Sequence, residues 1–105
     1  MNDVEYDELT DSVLLAVEEA IEKLELDLDY ESHGGLLSIT FPDRSKIIIN
    51  KQPPLHQLWV ATKFNGHHFE YHDGRWIDNR SGSEFWQLLN DAASKQAGVT
   101  VELAH

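Results

Sequence analysis

Near the start of this chain the spacing of apolar residues changes, and that change limits what the chain can fold into. Across residues 4–24, Leu9, Val13, Ala16, Val17, Ala20, Ile21 and Leu24 recur at steps of three and four, the repeat of a helix with one buried stripe. From residue 26 the repeat drops to two. Leu26, Leu28 and Tyr30 alternate with Asp27, Asp29 and Glu31, as in a strand with one face in water. Further strand-like stretches follow at 36–41, 46–50, 56–62, 67–71 and 75–78. Between them stand Pro42-Asp43-Arg44, Pro53-Pro54, Asn65-Gly66 and Asp73-Gly74, and His33-Gly34-Gly35 precedes the first. Such residues supply the positive or fixed φ angles of tight turns. Connections this short join antiparallel neighbours.

A second helical repeat closes the pattern. Phe85, Leu88, Leu89, Ala92 and Ala93 form its apolar face, Ser81 and Glu84 have the spacing of a capping box, and Gly98 is the stop. Residues 99–105 are a tail that packs against the body. The expectation is one α+β domain over residues 1–105. Its two helices lie on one face of an antiparallel sheet of about six strands. With 105 residues, one modest core is what the chain can bury.

Charge is distributed as unevenly as periodicity. Residues 1–31 hold twelve Asp and Glu against one base, Lys23, whereas the other 74 residues carry seven acids and seven bases. The net charge of −11 is therefore a local field. It attracts cations or a basic protein surface and repels nucleic acid and anionic lipid. At 100° per residue, Asp11, Glu18, Glu22 and Glu25 fall within about 60° of one another on the first helix, with Glu19 beside them. Asp27 and Asp29 share one face of the following strand. If that strand is the edge nearest the helix, the seven carboxylates line one ridge. Hard oxygen ligands without cysteine or histidine suit iron, Mn²⁺, Ca²⁺ and Mg²⁺, held weakly and without selectivity. The competing reading is the solvated face of an amphipathic helix. The scarcity of offsetting Lys and Arg argues against it.

Other chemistry is excluded by what the chain lacks. It has no Gly-rich phosphate loop, nucleophile elbow or His-Glu-x-x-His pair. Exposed carboxylates lack the burial that separates an acid from a base, so the chain reads as non-catalytic. Zero cysteines remove disulfides and thiolate sites and make a reducing cytoplasm the expected compartment. Met1-Asn2-Asp3 has neither the basic start nor the apolar run of a signal peptide. No apolar run nears the ~20 residues of a membrane span.

In the stretch 56–62, alternation sets Leu58 and Val60 on one face and Gln57, Trp59 and Ala61 on the other. Helices covering the first pair leave Trp59 on the open face near Asn50 and Gln52, where it has the composition of a contact patch. The alternative is a core Trp with the phase reversed. His67, His68 and His72 invite a metal reading, but neighbouring strand residues point to opposite faces. His68 and His72 are also roughly 13 Å apart along a strand. They read as solvated strand histidines, and His56 as a structural hydrogen-bonding residue.

One segment is specific enough to compare with a known family. Asn50-Lys51-Gln52-Pro53-Pro54-Leu55-His56-Gln57-Leu58-Trp59-Val60-Ala61 is followed by Trp76-Ile77-Asp78-Asn79-Arg80-Ser81-Gly82 and a final amphipathic helix. Together with the acidic first helix and strand, this resembles the frataxin family in its bacterial form, over essentially the whole chain. The resemblance implies an α-β-α sandwich that binds ferrous or ferric iron weakly and carries no organic cofactor. It also implies a regulatory accessory role in iron-sulfur cluster assembly. Asp11, Glu18, Glu19, Glu22, Glu25, Asp27 and Asp29 would meet iron. Glu18, Glu19 and Glu22 would dock on a basic patch of the cysteine desulfurase. Asn50, Gln52, Gln57 and Trp59 would touch the desulfurase or the iron-sulfur scaffold protein. Such a chain would be a monomer without iron and would bind neither nucleic acid nor membrane. Two other readings stay open: an iron-oxidising, iron-storing oligomer with ferroxidase-like activity, and an acidic mimic of nucleic acid.

Overall fold

The computed structural model describes residues 1–103 of the chain. Helix α1 (Asp3–Glu22) is followed by strands β1 (Asp29–His33), β2 (Leu36–Thr40) and β3 (Lys46–Gln52). A 3-10 turn (Pro53–Leu55) leads to β4 (Gln57–Ala61), β5 (Gly66–His72), β6 (Arg75–Asp78) and helix α2 (Phe85–Ala97). The six strands form one sheet in chain order, each antiparallel to the next. Leu37, Ile39, Ile47, Ile49, Leu58, Val60, Phe69 and Trp76 are all buried, and strand alternation with the register sets them on one face. Both helices cover that face: Tyr6 of α1 meets Trp76 edge-on, and Phe85 of α2 meets Phe69. The expected two-helix, one-face architecture is therefore present.

Three local expectations are corrected. The buried stripe of α1 is Tyr6, Thr10, Leu14, Val17, Ala20 and Ile21, so Leu9 and Val13 are only its half-buried flank. Thr10 passes as core because its hydroxyl donates to the Tyr6 carbonyl at 2.8 Å, satisfying the one polar atom it buries. The helix ends at Glu22 rather than residue 24, and β1 begins only at Asp29, so Glu25, Leu26 and Asp27 lie in an exposed connection. The capping box is replaced by a single cap. Glu84 itself precedes α2 and accepts from the backbone N–H groups of Trp86 and Gln87. Ser81 instead donates to Asp78 at 2.6 Å.

The tail packs as expected as far as Leu103; Ala104 and His105 lie outside the described residues. Val101 and Leu103 are buried, and their N–H groups donate to Ser94 Oγ and Asn90 Oδ1 of α2 at 2.8 and 2.7 Å.

Asp78 ties the β6–α2 corner together. Its buried carboxylate accepts from Ser81 Oγ, is 3.0 Å from His67 Nδ1, and takes the Arg80 N–H. Burial pushes this carboxyl up, but the hydrogen bonds from Ser81, His67 and Arg80 outweigh it and hold it below the usual carboxylate range. A depressed folded-state value means that the stabilisation is complete above the unfolded value of about 3.9 and is lost as pH falls through the folded value. Asp78→Asn is expected to lower stability at neutral pH and to flatten the acid limb of a urea-midpoint-against-pH curve.

Candidate functional site

The acidic residues form a surface that bends around the sheet edge. β1 is the edge strand beside α1, as the ridge requires. Ser32 donates to Glu18 at 2.9 Å, and the Tyr30 hydroxyl donates to Glu22. That bond to a carboxylate pushes the phenol up to about 12. Tyr30 and Ser32 pair with the buried Ile39 and Leu37, so they face the helices. Asp29 and Glu31 must then face the open side. The single ridge expected of seven carboxylates is thus divided. Glu18, Glu19 and Glu22 lie on the last turns of α1, Glu25 and Asp27 on the exposed connection, and Asp29 on the far face of β1. Glu25 shares no helical face with Glu18, because the helix has already ended.

Asp11 is separated from the rest by a counter-ion. Lys51 Nζ lies 2.8 Å from Asp11 and 3.1 Å from Asp7, and its side chain is 13% exposed. The ammonium also stands 5.9 Å from the centre of the Tyr6 ring. Burial alone would lower this lysine, but the hydrogen bonds to the two carboxylates more than offset it and its pKa is raised. The N-terminal part of the ridge therefore carries its own cation. The C-terminal part has none but Lys23, and there the negative end of the helix dipole adds to the field. Lys51 had a legible signal: it continues the Ile47, Ile49 row on the core face of β3, where a lone ammonium is stable only if paired.

These carboxylates form no closed ligand set. Among the described residues, no three His, Asp or Glu side chains converge as a group that could hold a metal ion. Hard oxygen donors are in place for a hard cation, but water must complete its coordination. That chemistry fits a weakly held, exchangeable ion.

On the open face, Trp59 pairs in register with Asn50 and His68, and Gln57 with Gln52 and Glu70. Trp59 is half-buried, as are Asn50 and Gln52. Its opposite-facing neighbours Leu58 and Val60 are in the core, which decides the alternation phase. Gln57 differs from expectation. It is only 9% exposed, with its amide engaged by Trp59 and Glu70, so it is no free contact residue. His68 was legible only as a solvated strand residue. It is exposed, but its ring stacks on Trp59. His67 departs from the solvated reading, being half-buried and paired with Asp78. His56 is structural, stacked on Tyr6 and bonded to Asp3 at 2.7 Å.

Among the described residues no helix is long and apolar enough to cross a membrane. Residues 1–99 match the frataxin-like domain family. The iron-sulfur cluster assembly protein CyaY of Pseudoalteromonas atlantica is 63% identical over 101 residues, covering 96% of this chain and 94% of that protein. The CyaY protein of Colwellia psychrerythraea is 56% identical, covering 99% and 98%. Among solved structures, a frataxin from Psychromonas ingrahamii superposes with a TM-score of 0.93 at 47% identity, with full coverage of both chains. Trimeric frataxin from Saccharomyces cerevisiae, complexed with ferrous ion, gives 0.69 at 28% identity over 90% of this chain and 86% of that one. With sequence and fold agreeing over nearly the whole length, the chain belongs to the frataxin family.

Proposed function

We propose that this chain is an iron-binding accessory protein of iron-sulfur cluster assembly that docks on the cysteine desulfurase through the C-terminal part of its acidic surface. The observation that carries the reading is the stretch Glu18–Asp29, where six acids stand against Lys23 alone. Lys51 neutralises Asp7 and Asp11 at one end, whereas Glu18, Glu19, Glu22, Glu25, Asp27 and Asp29 have no Lys or Arg ion partner among the described residues. The curated relatives named for cluster assembly supply the process. The ferrous ion of the yeast relative's structure supports iron as cargo. Trp59, Asn50 and Gln52, on the adjoining sheet face, provide the flat, partly apolar surface suited to the desulfurase or its scaffold protein.

Iron titration followed by NMR tests the site. Ferrous ion is expected to broaden backbone signals of residues 18–29 before those of Asp7 and Asp11. In Lys51→Met, broadening is expected to extend back to Asp7 and Asp11, because two exposed carboxylates lose their internal cation. Broadening centred on His67, His68 and His72 would place the ion elsewhere and defeat the reading. The trimeric state of the yeast relative favours one alternative, an iron-storing oligomer. Sedimentation that rises with added iron, together with oxygen consumption, would support that reading over the first.

A further inference from the structure

The indole of Trp59 is held from two directions. Its Nε1–H donates to Gln57 Oε1 at 2.8 Å, and Gln57 Nε2 donates in turn to Glu70 Oε2 at 2.8 Å. The His68 ring lies parallel to the indole, with centroids 4.2 Å apart and planes within 10°. The register produces this arrangement: His68 is directly opposite Trp59, and Glu70 is directly opposite Gln57. Residues two apart on one strand share a face, which brings Gln57 beside the indole.

We propose that Gln57, Glu70 and His68 are positioning residues for Trp59, and that Trp59 meets a partner with the carbon surface of its indole rather than with its N–H. This rests on the reading of the open sheet face as a contact surface, and it specifies how that surface works. A tryptophan buried by a partner normally needs an acceptor for its N–H. Here the acceptor comes from the same chain, so the partner can cover the ring without leaving a polar group unpaired. The stack and the hydrogen bond also restrict the rotamer before contact, which lowers the ordering cost of association. Gln57, with both ends of its amide engaged inside the chain, acts through Trp59 and not on the partner.

The test uses the full chain and two independent readouts. Exchange of the Trp59 indole N–H, measured by NMR, is expected to be slow in the wild type and about tenfold faster in Gln57→Leu, which removes the acceptor. Combining Gln57→Glu with Glu70→Gln restores both bonds with the roles exchanged, and is expected to return exchange to the wild-type rate. Affinity for the desulfurase bound to its scaffold is expected to fall about five- to tenfold in Gln57→Leu and to recover in the exchanged pair. His68→Ala should weaken binding while His68→Phe, which keeps a stacking ring, should not. Exchange unaffected by Gln57→Leu would show that no clamp exists. Affinity lost equally in the exchanged pair would show that the Gln57 amide itself touches the partner. Wild-type affinity in Trp59→Ala would overturn the contact-surface reading, while the exchange measurement would still judge the clamp alone.

Discussion

Charge reversal of Glu18, Glu19 and Glu22 to Lys is expected to abolish binding to the cysteine desulfurase and to leave the fold standing. An exposed pair at contact distance gains about 1 kcal/mol in high dielectric, and reversal turns each attraction into a repulsion of similar size. Three reversals therefore weaken binding by at least about 100-fold. The fold loses only the exposed contacts of Glu18 with Ser32 and Glu22 with Tyr30, of the kind worth about 0–1 kcal/mol. Against that, lysines at the end of α1 suit the helix dipole, a gain of about 0.3–1 kcal/mol each. The unfolding midpoint is expected to stay within error or rise. Wild-type affinity should fall as salt increases, since at about 0.5 M the screening length shrinks to about 4 Å. Bound iron should compete with the desulfurase, because the proposed function assigns both to the same carboxylates. Wild-type binding that ignores salt, together with an equally tight reversal mutant, would reduce the acidic surface to a solvated face.

The largest expected loss of stability comes from Tyr6, which pins α1 to the sheet. Its hydroxyl donates to the Gln57 carbonyl at 2.6 Å and accepts from the Gln52 N–H at 2.9 Å. Its ring is stacked by His56 and meets Trp76 edge-on. The residue is 1% exposed. Tyr6→Ala leaves a ring-sized cavity and strands two backbone groups, a cost of about 3–5 kcal/mol. That is much of the 5–15 kcal/mol available to a typical domain. Tyr6→Phe keeps the ring and isolates the hydroxyl contribution, about 1–3 kcal/mol. Urea unfolding of both variants separates cavity from hydrogen bonds. A Tyr6→Phe midpoint equal to wild type would mean that the two backbone groups find water instead. Because the residues Tyr6 holds flank the 3-10 turn before Trp59, Tyr6→Phe should also loosen the alignment of the acidic surface with the Trp59 face.

The legible parts of this protein are those governed by local repeats. Steps of three and four marked α1 and α2, and steps of two marked the strands. Gly34-Gly35 and Asp73-Gly74 marked two of their turns, because positive φ there favours glycine. The alternation of Leu58 and Val60 against Trp59 set the tryptophan opposite that pair, and the burial of Leu58 and Val60 decided that it lies on the open face. Errors arose where an element ends. The acids and Leu24 continue the helical repeat past Glu22, yet nothing there caps the helix in the way Gly98 caps α2. Stopping α1 two residues early removed Glu25 from its face. Strand β1 starts later than expected and so excludes Asp27, while alternation with Tyr30, which faces the helices, sends Asp29 to the open side of the sheet.

The sequence by itself determined the fold class and the concentration of charge in the first third, because periodicity and composition act over a few neighbouring residues. Only the tertiary structure decided which charges are free and which polar groups are already engaged. Lys51 lies forty residues from Asp11 in the chain and bonds to it. Gln57 shares its amide with Trp59 and Glu70, and His67 pairs with Asp78. Such pairings depend on strand register and on how α1 crosses the sheet, and a spacing rule along one chain carries no information about what a distant strand will bring alongside.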